Sequence, residues 1–571
     1  MNGIRLIDHG MDPEGFAVLE SAVTRRLRER GCEAAGIPVT VETDPALQED
    51  AYRVEASRDA VRIRAGGTAG AFSGAGDYLR RCAFDGSGGF RPFAGSFGFT
   101  PVNPIHGMYF ASHFRNFYEE APVDEVRTLI EDLALQGCNA VMAWYDMHQY
   151  AGTDDPASRE MIARLKAVFR HASLTGMKTV FGTLANESFR SSDPALRAEW
   201  WAQNGYFARP VGHYHVEICP NRPGGLDEIL RQRRRVLEAF RGVRIDYVSI
   251  WPYDQGGCTC EKCSPWGANG FLKTLNALRS LYAEILPDAK LLCSTWYFDR
   301  FVREWDGFRD AFETGKYDYV EYLFGYFANG EPIPDFIREG RMPGGKRMIA
   351  FPEISMHGCS PWGGFGANPM PGRLEENYRE NRGLYCGALP YSEGIFEDVN
   401  KAMMLAFYSG RLRTADEVLR EYARFEFCLD GEAAGKFVRM VRLLEGTLAH
   451  RSENADGEPV AWEESGLPWE DLRFVLSEPD GAAEAERLAS EIDRDLPEKI
   501  RNGWRWQILR LRAAIDCELV SNGMRLTGRI ESWMRKLTEI YHARNASWPV
   551  TPLTRAAVAR GKDGQNKEGK L

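Results

Sequence analysis

Eight short apolar runs alternate with stretches of amphipathic helical period between residues 104 and 412. The runs cover residues 105–110, 139–146, 178–187, 246–254, 290–298, 317–324, 346–355 and 384–393. They are rich in β-branched and aromatic residues, as expected for parallel strands that are buried on both faces. The helical stretches include residues 123–136, 159–175, 226–241 and 271–286. Eight strand–helix units of this kind favour a closed (β/α)8 barrel over an open, doubly wound sheet.

The flanking regions have different patterns. Residues 1–100 alternate strand-like and helical segments and predict a small α/β domain, in which a glycine-rich turn near residue 66 begins a helix. The glycines there do not match a dinucleotide-binding fingerprint and are typical of close strand–helix packing. Residues 413–548 show only helical periodicity around a polar segment, 451–470, that we expect to be a loop. We therefore predict an N-terminal α/β domain (1–100), a catalytic barrel (101–412), a helical domain (413–548) and a flexible tail (549–571).

Composition and charge limit the classes of partner. A chain of 571 residues is too long for one core, and its formal net charge of -10 argues against a role in tracking nucleic acid. The N-terminal residues lack the basic and apolar regions of a signal peptide, and no run reaches the ~18 apolar residues of a membrane span. We expect a cytoplasmic protein whose twelve cysteines are reduced thiols. The helical region could supply the surface of a homodimer.

Polar residues follow many of the predicted strands, where the active site of a (β/α)8 barrel lies. They are Asp146, Asn186, Glu187, Asp254, Trp296, Tyr297, Glu321, Glu353, His357 and Glu393. Five or six carboxylates on one rim exceed what helix capping or solubility requires. Cleavage of a glycosidic bond needs one protonated and one ionised carboxyl group, and crowding like charges in a partly apolar bowl separates their pKa values.

Three of these carboxylates are the predicted catalytic residues. Asp254 follows strand four in WPYDQGG, Glu353 follows strand seven in FPEISMHG, and Glu393 follows strand eight in PYSEGIFEDVNK. Any one of them alone could instead be a structural carboxylate. Glu397 and Asp398 fall in the first turn of the next helix, where acidic residues complement the helix dipole, and we leave them out of the site.

Aromatic and polar neighbours of these carboxylates are the predicted substrate-binding residues. Trp and Tyr rings suit stacking on pyranose faces, and histidine, arginine and amide groups suit sugar hydroxyls. Each histidine taken alone is more often structural. The predicted set is His113, Arg115, Asp146, Asn186, Glu187, Trp251, Tyr253, Trp296, Tyr297, Glu321, His357 and Tyr391.

A cysteine run, CTCEKC, follows the fourth strand. Cys258, Cys260 and Cys263 have the spacing of metal ligands, and Cys219, Cys359 or a histidine could supply the fourth ligand of a structural zinc ion. Reduced packing thiols or a redox-sensitive pair are the alternatives. A catalytic zinc is disfavoured because thiolate-rich sites are usually closed.

Longer segments carry a family resemblance. The segment YRVEASRDAVRIRAGGTAGAFSGAGDYLRR resembles the small α/β domain that precedes the barrel in β-hexosaminidases and in family 67 α-glucuronidases. An N-terminal domain of this type, a (β/α)8 barrel and a helical C-terminal domain together look like the α-glucuronidase plan. DQGGCTCEKC and YSEGIFEDVNK resemble segments of uncharacterised bacterial relatives of endo-acting N-acetylglucosaminidases.

The resemblance implies a glycoside hydrolase and suggests roles for three residues. Hexosaminidases carry an adjacent Asp-Glu pair after strand four, whereas Asp254 is followed here by Gln255, which speaks against substrate-assisted hydrolysis of an N-acetyl sugar. In α-glucuronidases a strand-four carboxylate resembles a general acid and two later carboxylates act on water. Asp254, Glu353 and Glu393 could fill those places, although the first is Asp rather than Glu, and would then imply inversion.

The leading hypothesis is an exo-acting glycosidase of carbohydrate metabolism that removes a terminal sugar, such as a uronic acid or an N-acetylhexosamine, from oligosaccharides. Asp254 would be the general acid and Glu353 or Glu393 the base or nucleophile, with no cofactor required for catalysis. One alternative is a sugar-acid lyase or isomerase that holds a divalent metal at the same rim. The other is a non-catalytic, carbohydrate-binding barrel.

Overall fold

The chain folds into an N-terminal α/β domain, a barrel and a C-terminal helical region. The computed structural model describes residues 3–113, 115–199, 216–252, 257–296, 304–327, 333–354, 368–453, 458–460, 473–476, 480–523 and 527–542. Among the helices within these ranges, none combines the length and the apolar character that a membrane span requires.

The N-terminal domain is a five-stranded sheet with two helices packed against it. Its strands are β1 (Gly3–His9), β2 (Glu33–Thr43), β3 (Tyr52–Ala56), β4 (Val61–Ala65) and β7 (Gly95–Phe99), in the spatial order β1-β2-β4-β3-β7. The helices are α1 (Pro13–Glu29) and α2 (Thr68–Arg81), and a separate two-stranded ladder joins β5 (Ala83–Phe84) to β6 (Phe90–Arg91). The sequence pattern predicts β1 to β4 and both helices but not β7, because no residue of that strand is buried.

Small residues let α2 lie close to its neighbours. A Cβ atom on Gly76 would lie 1.8 Å from the backbone oxygen of Leu135, the last residue of the barrel helix α4 (Val123–Leu135). A Cβ atom on Gly70 would lie 2.5 Å from the backbone oxygen of Ala51. The expected role of these glycines in close packing is confirmed, and it includes helix–helix as well as strand–helix contact.

The middle of the chain forms a parallel barrel at the eight predicted positions. Its strands are β8 (Ile105–His106), β9 (Met108–Phe110), β10 (Ala140–Trp144), β11 (Lys178–Leu184), β12 (Tyr247–Trp251), β13 (Lys290–Ser294), β14 (Val320–Gly325), β15 (Arg347–Ala350), β16 (Tyr385–Ala388) and β17 (Tyr391–Ser392). Its helices are α3 (Phe117–Glu120), α4, α5 (Pro156–Leu174), α6 (Gly225–Ala239), α7 (Gly270–Ile285), α8 (Glu304–Glu313), α9 (Asp335–Arg338), α10 (Pro371–Asn381) and α11 (Asp398–Ser409). The (β/α)8 prediction is confirmed.

The first and last barrel strands are each divided in two, and their pairing closes the ring. β8 pairs with β16, while β9 pairs with β10 on one side and with β17 on the other, all in parallel. Gly107 joins β8 to β9, and its backbone N–H donates to the carbonyl oxygen of Ala388 at 2.9 Å. A Cβ atom on Gly107 would lie 2.4 Å from the backbone oxygen of Ala140, so a larger residue would disturb the closure.

The C-terminal region contains six helices and, contrary to the sequence prediction, a small sheet within its described part. The helices are α12 (Ala415–Phe427), α13 (Gly431–Gly446), α14 (Gly481–Asp495), α15 (Glu498–Arg501), α16 (Trp504–Ser521) and α17 (Gly528–Tyr541). The antiparallel strands are β18 (Ala449–Glu453), β19 (Pro459–Val460) and β20 (Arg473–Leu476). The expectation of a plain loop at 451–470 is therefore wrong, because a polar sequence such as AHRSE gives no apolar signal for a strand. The predicted tail, 549–571, lies outside the described residues.

A buried set of charges, which we call the ion cluster, joins the three parts of the chain. It consists of Arg26, Asp132, Asp398, Glu426 and Arg505, from α1, α4, α11, α12 and α16. Arg505 lies 2.6 Å from Asp132, 2.8 Å from Asp398 and 3.7 Å from Glu426. Arg26 pairs with Glu426 and lies 3.7 Å from Asp132. Asp398, which the sequence suggested only as a complement to a helix dipole, is instead part of this interface.

Candidate active site

The C-terminal ends of the barrel strands surround a layer of aromatic rings that we call the aromatic floor: Tyr109, Trp144, Trp251, Phe351 and Tyr391. The ring centroids of Trp251 and Phe351 are 4.8 Å apart, and those of Tyr109 and Tyr391 are 5.2 Å apart. Trp296, which is only partly buried, packs beside Trp251 with a centroid distance of 5.9 Å. These rings give the bowl an apolar base of the kind that stacks on sugar faces.

Glu393 lies directly after β17 and is buried, with only 2% of its surface exposed. The hydroxyl group of Tyr391 donates to Glu393 Oε1 at 3.0 Å and also lies 2.9 Å from His113 Nε2. Burial raises the pKa of Glu393 well above its usual range, and the charges of Glu353 and Glu397 raise it further. Both effects favour the protonated form of this carboxyl group.

Glu353 follows β15 and lies beside the same final strand. It forms a parallel bridge with Tyr391, whose N–H donates to the carbonyl oxygen of Pro352 at 2.9 Å. Its side chain is half-buried, in contrast to that of Glu393. The barrel thus brings two of the three predicted catalytic carboxylates to adjacent strand ends. The third, Asp254, lies outside the described residues, as do Tyr253, Tyr297 and His357.

Glu397 holds Glu393 in position, although the sequence reasoning left it out. Its carboxylate accepts the N–H groups of Glu393 and Gly394 at 2.9 and 3.2 Å and the hydroxyl of Ser392 at 3.0 Å. Lys401, also fully buried, pairs with it at 3.0 Å. The spacing of Glu and Lys in EDVNK is the signal that could have identified this pair, since residues four apart face each other on a helix.

A second polar group lies at the ends of β10 and β11. His148 Nδ1 lies 2.9 Å from Glu187 Oε1, and the backbone N–H of His148 donates to the same oxygen at 3.1 Å. Burial disfavours a charge on His148, but the bond to Glu187 and its charge outweigh this and raise the histidine pKa. Burial, together with the charge of Glu187, raises the pKa of Asp146 to about 7 against the opposing effect of His148. Asp146 and Glu187 therefore lie where the sequence predicts, and His148 joins them.

His113 connects this second group to Tyr391 and, through the Tyr391 hydroxyl, to Glu393. Its Nδ1 atom is 3.8 Å from Asp146 Oδ2, while its Nε2 atom contacts the Tyr391 hydroxyl. Burial, and then the charge of His148, lower the pKa of His113 to about 3, so the ring is neutral at physiological pH. A neutral imidazole between two hydroxyl or carboxyl groups can pass a proton or hold a sugar hydroxyl.

Two predicted substrate-binding residues have other structural positions. Glu321 lies near the N-terminal end of β14, where it pairs with Lys290 at 2.8 Å, so its placement at the rim is wrong. The apolar run began before the strand itself, which starts at Val320. Asn186 is fully buried; its amide donates to the carbonyl oxygens of Ile218 and Gly257 at 3.0 and 2.7 Å and accepts from Gly257 N–H at 2.8 Å. These bonds use both the donor and the acceptor of the side-chain amide, so Asn186 links the segments that contain Ile218 and Gly257.

Arg115 lies in the turn after the first barrel strand and is exposed. Its backbone has a positive φ of 52°, and its N–H donates to Glu119 at 2.6 Å. The predicted aromatic contacts Trp251 and Tyr391 lie in the floor, and Trp296 lies beside it. The described part of the rim therefore contains carboxylates, neutral histidine and aromatic rings, with Arg115 at its exposed margin.

Four cysteines lie together beside this rim. The sulfur atoms of Cys219, Cys258, Cys260 and Cys263 all fall within 4.8 Å of one another. Cys219, one of the candidates for the fourth ligand in the sequence analysis, lies in the segment before α6, whereas the other three cysteines follow β12.

Comparison with known proteins identifies the fold. No protein-family model matches the chain, and no curated protein matches it in sequence. A GH138 enzyme targeting pectin rhamnogalacturonan II aligns with a TM-score of 0.55 at 9% identity, over 94% of this chain and 72% of that one. A family 89 glycoside hydrolase from Clostridium perfringens aligns with a TM-score of 0.56 in complex with its substrate GlcNAc-α-1,4-galactose, at 11% identity over 92% of this chain and 64% of that one. In complex with PUGNAc the family 89 enzyme aligns with the same TM-score and coverage at 13% identity.

The chain thus shares its architecture with these glycoside hydrolases. It spans somewhat less than two thirds of the family 89 chain. At such low identity the similarity establishes the fold, and the chemistry must be argued from the residues of the site.

Proposed function

We propose that this protein is a glycoside hydrolase whose catalytic carboxyl groups are Glu353 and Glu393. The observation that carries the proposal is their position on adjacent strand ends beside the aromatic floor, with Glu393 buried and Glu353 half-buried. The charge of Glu353 raises the pKa of Glu393 and so disfavours a second negative charge, and the difference in burial decides which group carries the charge. We assign the charge to Glu353 and the proton to Glu393.

This division of roles matches the requirements of glycoside cleavage. Glu393 would donate its proton to the departing glycosidic oxygen, while Glu353 would attack the anomeric carbon or activate water against it. Tyr391 positions the acid through its bond to Glu393 Oε1, and Glu397 fixes the backbone beneath it. Asp254 is the competing proton donor, because the resemblance to α-glucuronidases implies a strand-four acid.

We infer a neutral sugar, such as an N-acetylhexosamine, as the group that is removed. None of the charges that act most strongly on Asp146 or Glu393 belongs to an arginine or a lysine. A uronic acid would bring a further negative charge among these carboxylates, and Lys401, the buried cation described near Glu393, already pairs with Glu397 at 3.0 Å. The family 89 enzyme with the same fold was solved with a substrate that contains N-acetylglucosamine, which supports this choice.

The experiment is a screen of aryl α- and β-glycosides, followed by kinetics of Glu353→Gln and Glu393→Gln on the alkyl glycoside or disaccharide of the same sugar, whose leaving group requires protonation. Each variant should lose at least about 100-fold in kcat while keeping the wild-type melting temperature within a few degrees. Lys290→Gln, at the opposite end of the barrel, serves as a control that should keep full activity. Near wild-type turnover in either catalytic variant would remove that residue from the mechanism.

The leaving group separates the two candidate acids. A dinitrophenyl glycoside needs no protonation to depart, so the variant that lacks the true acid keeps most of its activity on that substrate and loses it on a poor leaving group. We expect this pattern for Glu393→Gln and not for Asp254→Asn. The reverse result would assign the acid to Asp254 and leave Glu393 as a positioning group.

The alternative of a metal-dependent lyase or isomerase is tested by EDTA. Asp146, His148 and Glu187 have potential ligand atoms within 4.8 Å of one another, which is the observation in its favour. The direct bond between His148 and Glu187 already satisfies the imidazole Nδ1, and this supports a metal-free pair. Activity should survive EDTA; a loss that Mg²⁺ or Mn²⁺ restores would favour the lyase or isomerase.

A further inference from the structure

The four cysteines beside the barrel rim have the spacing of a metal site. Cys219 Sγ lies 3.8 Å from Cys260 Sγ and 3.7 Å from Cys263 Sγ. A tetrahedral zinc ion with Zn–S bonds of about 2.3 Å holds its sulfur atoms about 3.8 Å apart. A disulfide would instead require about 2.05 Å. The separation therefore fits four thiolates around one ion better than any pair of bonded sulfurs.

Neighbouring groups are arranged to stabilise thiolates. The side-chain amide of Asn221 donates to Cys263 Sγ at 3.1 Å, and the backbone N–H of Glu199 donates to Cys258 Sγ at 3.5 Å. Lys273 in turn donates to the amide oxygen of Asn221 at 2.6 Å, which orients the amide toward the sulfur. Hydrogen bonds of this kind to ligand atoms are a regular part of metal sites.

We propose that Cys219, Cys258, Cys260 and Cys263 bind one zinc ion with a structural role. Cys219, Cys258 and Cys263 are buried and Cys260 is partly buried, so the four thiolates leave no position for substrate or water. The ion supplies no catalytic step. It joins two segments that are far apart in sequence, the one before α6 and the loop after β12.

The proposed zinc site and Asn186 link the same two segments of the chain. Asn186 bonds to Ile218 and Gly257, the residues that immediately precede Cys219 and Cys258. The loop after the fourth strand is therefore anchored twice on its C-terminal side. This loop carries Asp254 in the sequence, so the proposed ion would fix one end of a segment of the rim.

Metal analysis of the full-length protein tests the proposal. Protein purified without chelators from zinc-supplemented cells should contain about one zinc per chain by plasma mass spectrometry. Cys219→Ser is the decisive variant, because Cys219 lies outside the C-x-C-x2-C run; its zinc content should fall at least tenfold. Cys517→Ser, which removes a partly exposed thiol of α16, is the matched control and should keep its zinc.

A second measurement needs no variant and avoids the risk that Cys219→Ser misfolds. Titration of the native protein with a mercurial reagent, with a chromophoric chelator present, should release one zinc as about four thiols react. The proposal is overturned if the protein contains no zinc, if Cys219→Ser retains it, if the bound metal is iron, or if mass spectrometry finds disulfides among the four cysteines. None of these outcomes depends on glycosidase activity.

Discussion

Replacing Arg505 with Ala should cost several kcal/mol of stability, because this side chain lies at the centre of the ion cluster. Its guanidinium contacts Asp132 at 2.6 Å and Asp398 at 2.8 Å, and it lies 3.7 Å from Glu426. Its removal leaves three buried carboxylates with less compensation. Breaking a buried ion pair from one side typically costs about 3–5 kcal/mol, and we expect a loss in this range.

Urea unfolding followed by tryptophan fluorescence measures this loss. The matched control is Arg510→Ala on the same helix, whose partner Glu486 lies at 2.9 Å with side chains 24% and 31% exposed. Partly exposed pairs contribute up to about 1 kcal/mol, so the control should remain close to wild type. The comparison requires similar m-values for all three proteins. A loss of less than about 1 kcal/mol for Arg505→Ala would refute the assigned role of the cluster.

The difference in stability between wild type and Arg505→Ala has a predictable pH dependence. Burial opposes ionisation of Asp132 and Glu426, but the surrounding arginines outweigh it and hold both pKa values below their usual 3.8 and 4.5. Carboxylates with lowered folded-state pKa values stabilise the protein above the unfolded-state values and lose that contribution as the pH falls through the folded-state values. The stability gap between wild type and Arg505→Ala should therefore be full at pH 7 and narrow progressively below about pH 4.

Three further predictions concern the site. Tyr391→Phe removes a hydrogen bond that lowers the pKa of Glu393, so the basic limb of the pH–kcat profile should move to higher pH. The value of kcat should fall about tenfold, and an unchanged profile would contradict the contact. The free energy of unfolding of Asp146→Asn, relative to that of wild type, should increase from pH 4 to pH 8. Burial raises the folded-state pKa of Asp146 from 3.8 to about 7, so ionisation of this carboxyl group destabilises the wild-type native state. Equal differences in urea unfolding at the two pH values would count against this prediction. Trp296→Ala should raise KM about tenfold with little change in kcat, whereas Trp504→Ala, a half-buried tryptophan of α16, should change neither.

The barrel could be predicted because its strands have a strong sequence signal. Runs such as NAVMAWYD are buried on both faces, so their apolar character is continuous and their positions are confirmed by β10 and its neighbours. The strands of the C-terminal sheet and β7 lack this signal, since AHRSE and GSFGF are polar or glycine-rich. The domain boundaries near residues 100 and 412, the cytoplasmic location and a homodimer stay predictions.

The site was harder to predict because side-chain partners are set by tertiary structure. Glu353 and Glu393 lie at strand ends as predicted, whereas Glu321 does not, because its apolar run begins before the strand itself. The helix dipole alone explains an acidic residue at position 397, so the sequence gives no reason to place Glu397 in the site. Its contact with the backbone N–H of Glu393 is seen only in the folded structure. The sequence offers Cys219 as one of several candidates for the fourth cysteine of the cluster. It cannot single out Cys219, because the sulfur atoms beside it belong to a different loop.

The divided first and last strands have a consequence for how the chain acquires its chemistry. Glu393 is placed by β17, which pairs with β9, and Tyr391 reaches His113 only across that seam. Contacts between segments so distant in sequence are slow to form, because the closure of a long loop costs entropy before any contact repays it. A chain still emerging from the ribosome can build the early strands of the barrel without possessing the acid that we assign to Glu393. Ring closure is therefore the step that brings His113 to Tyr391, whereas Glu353 and Glu393 lie on neighbouring strands that both come late in the chain.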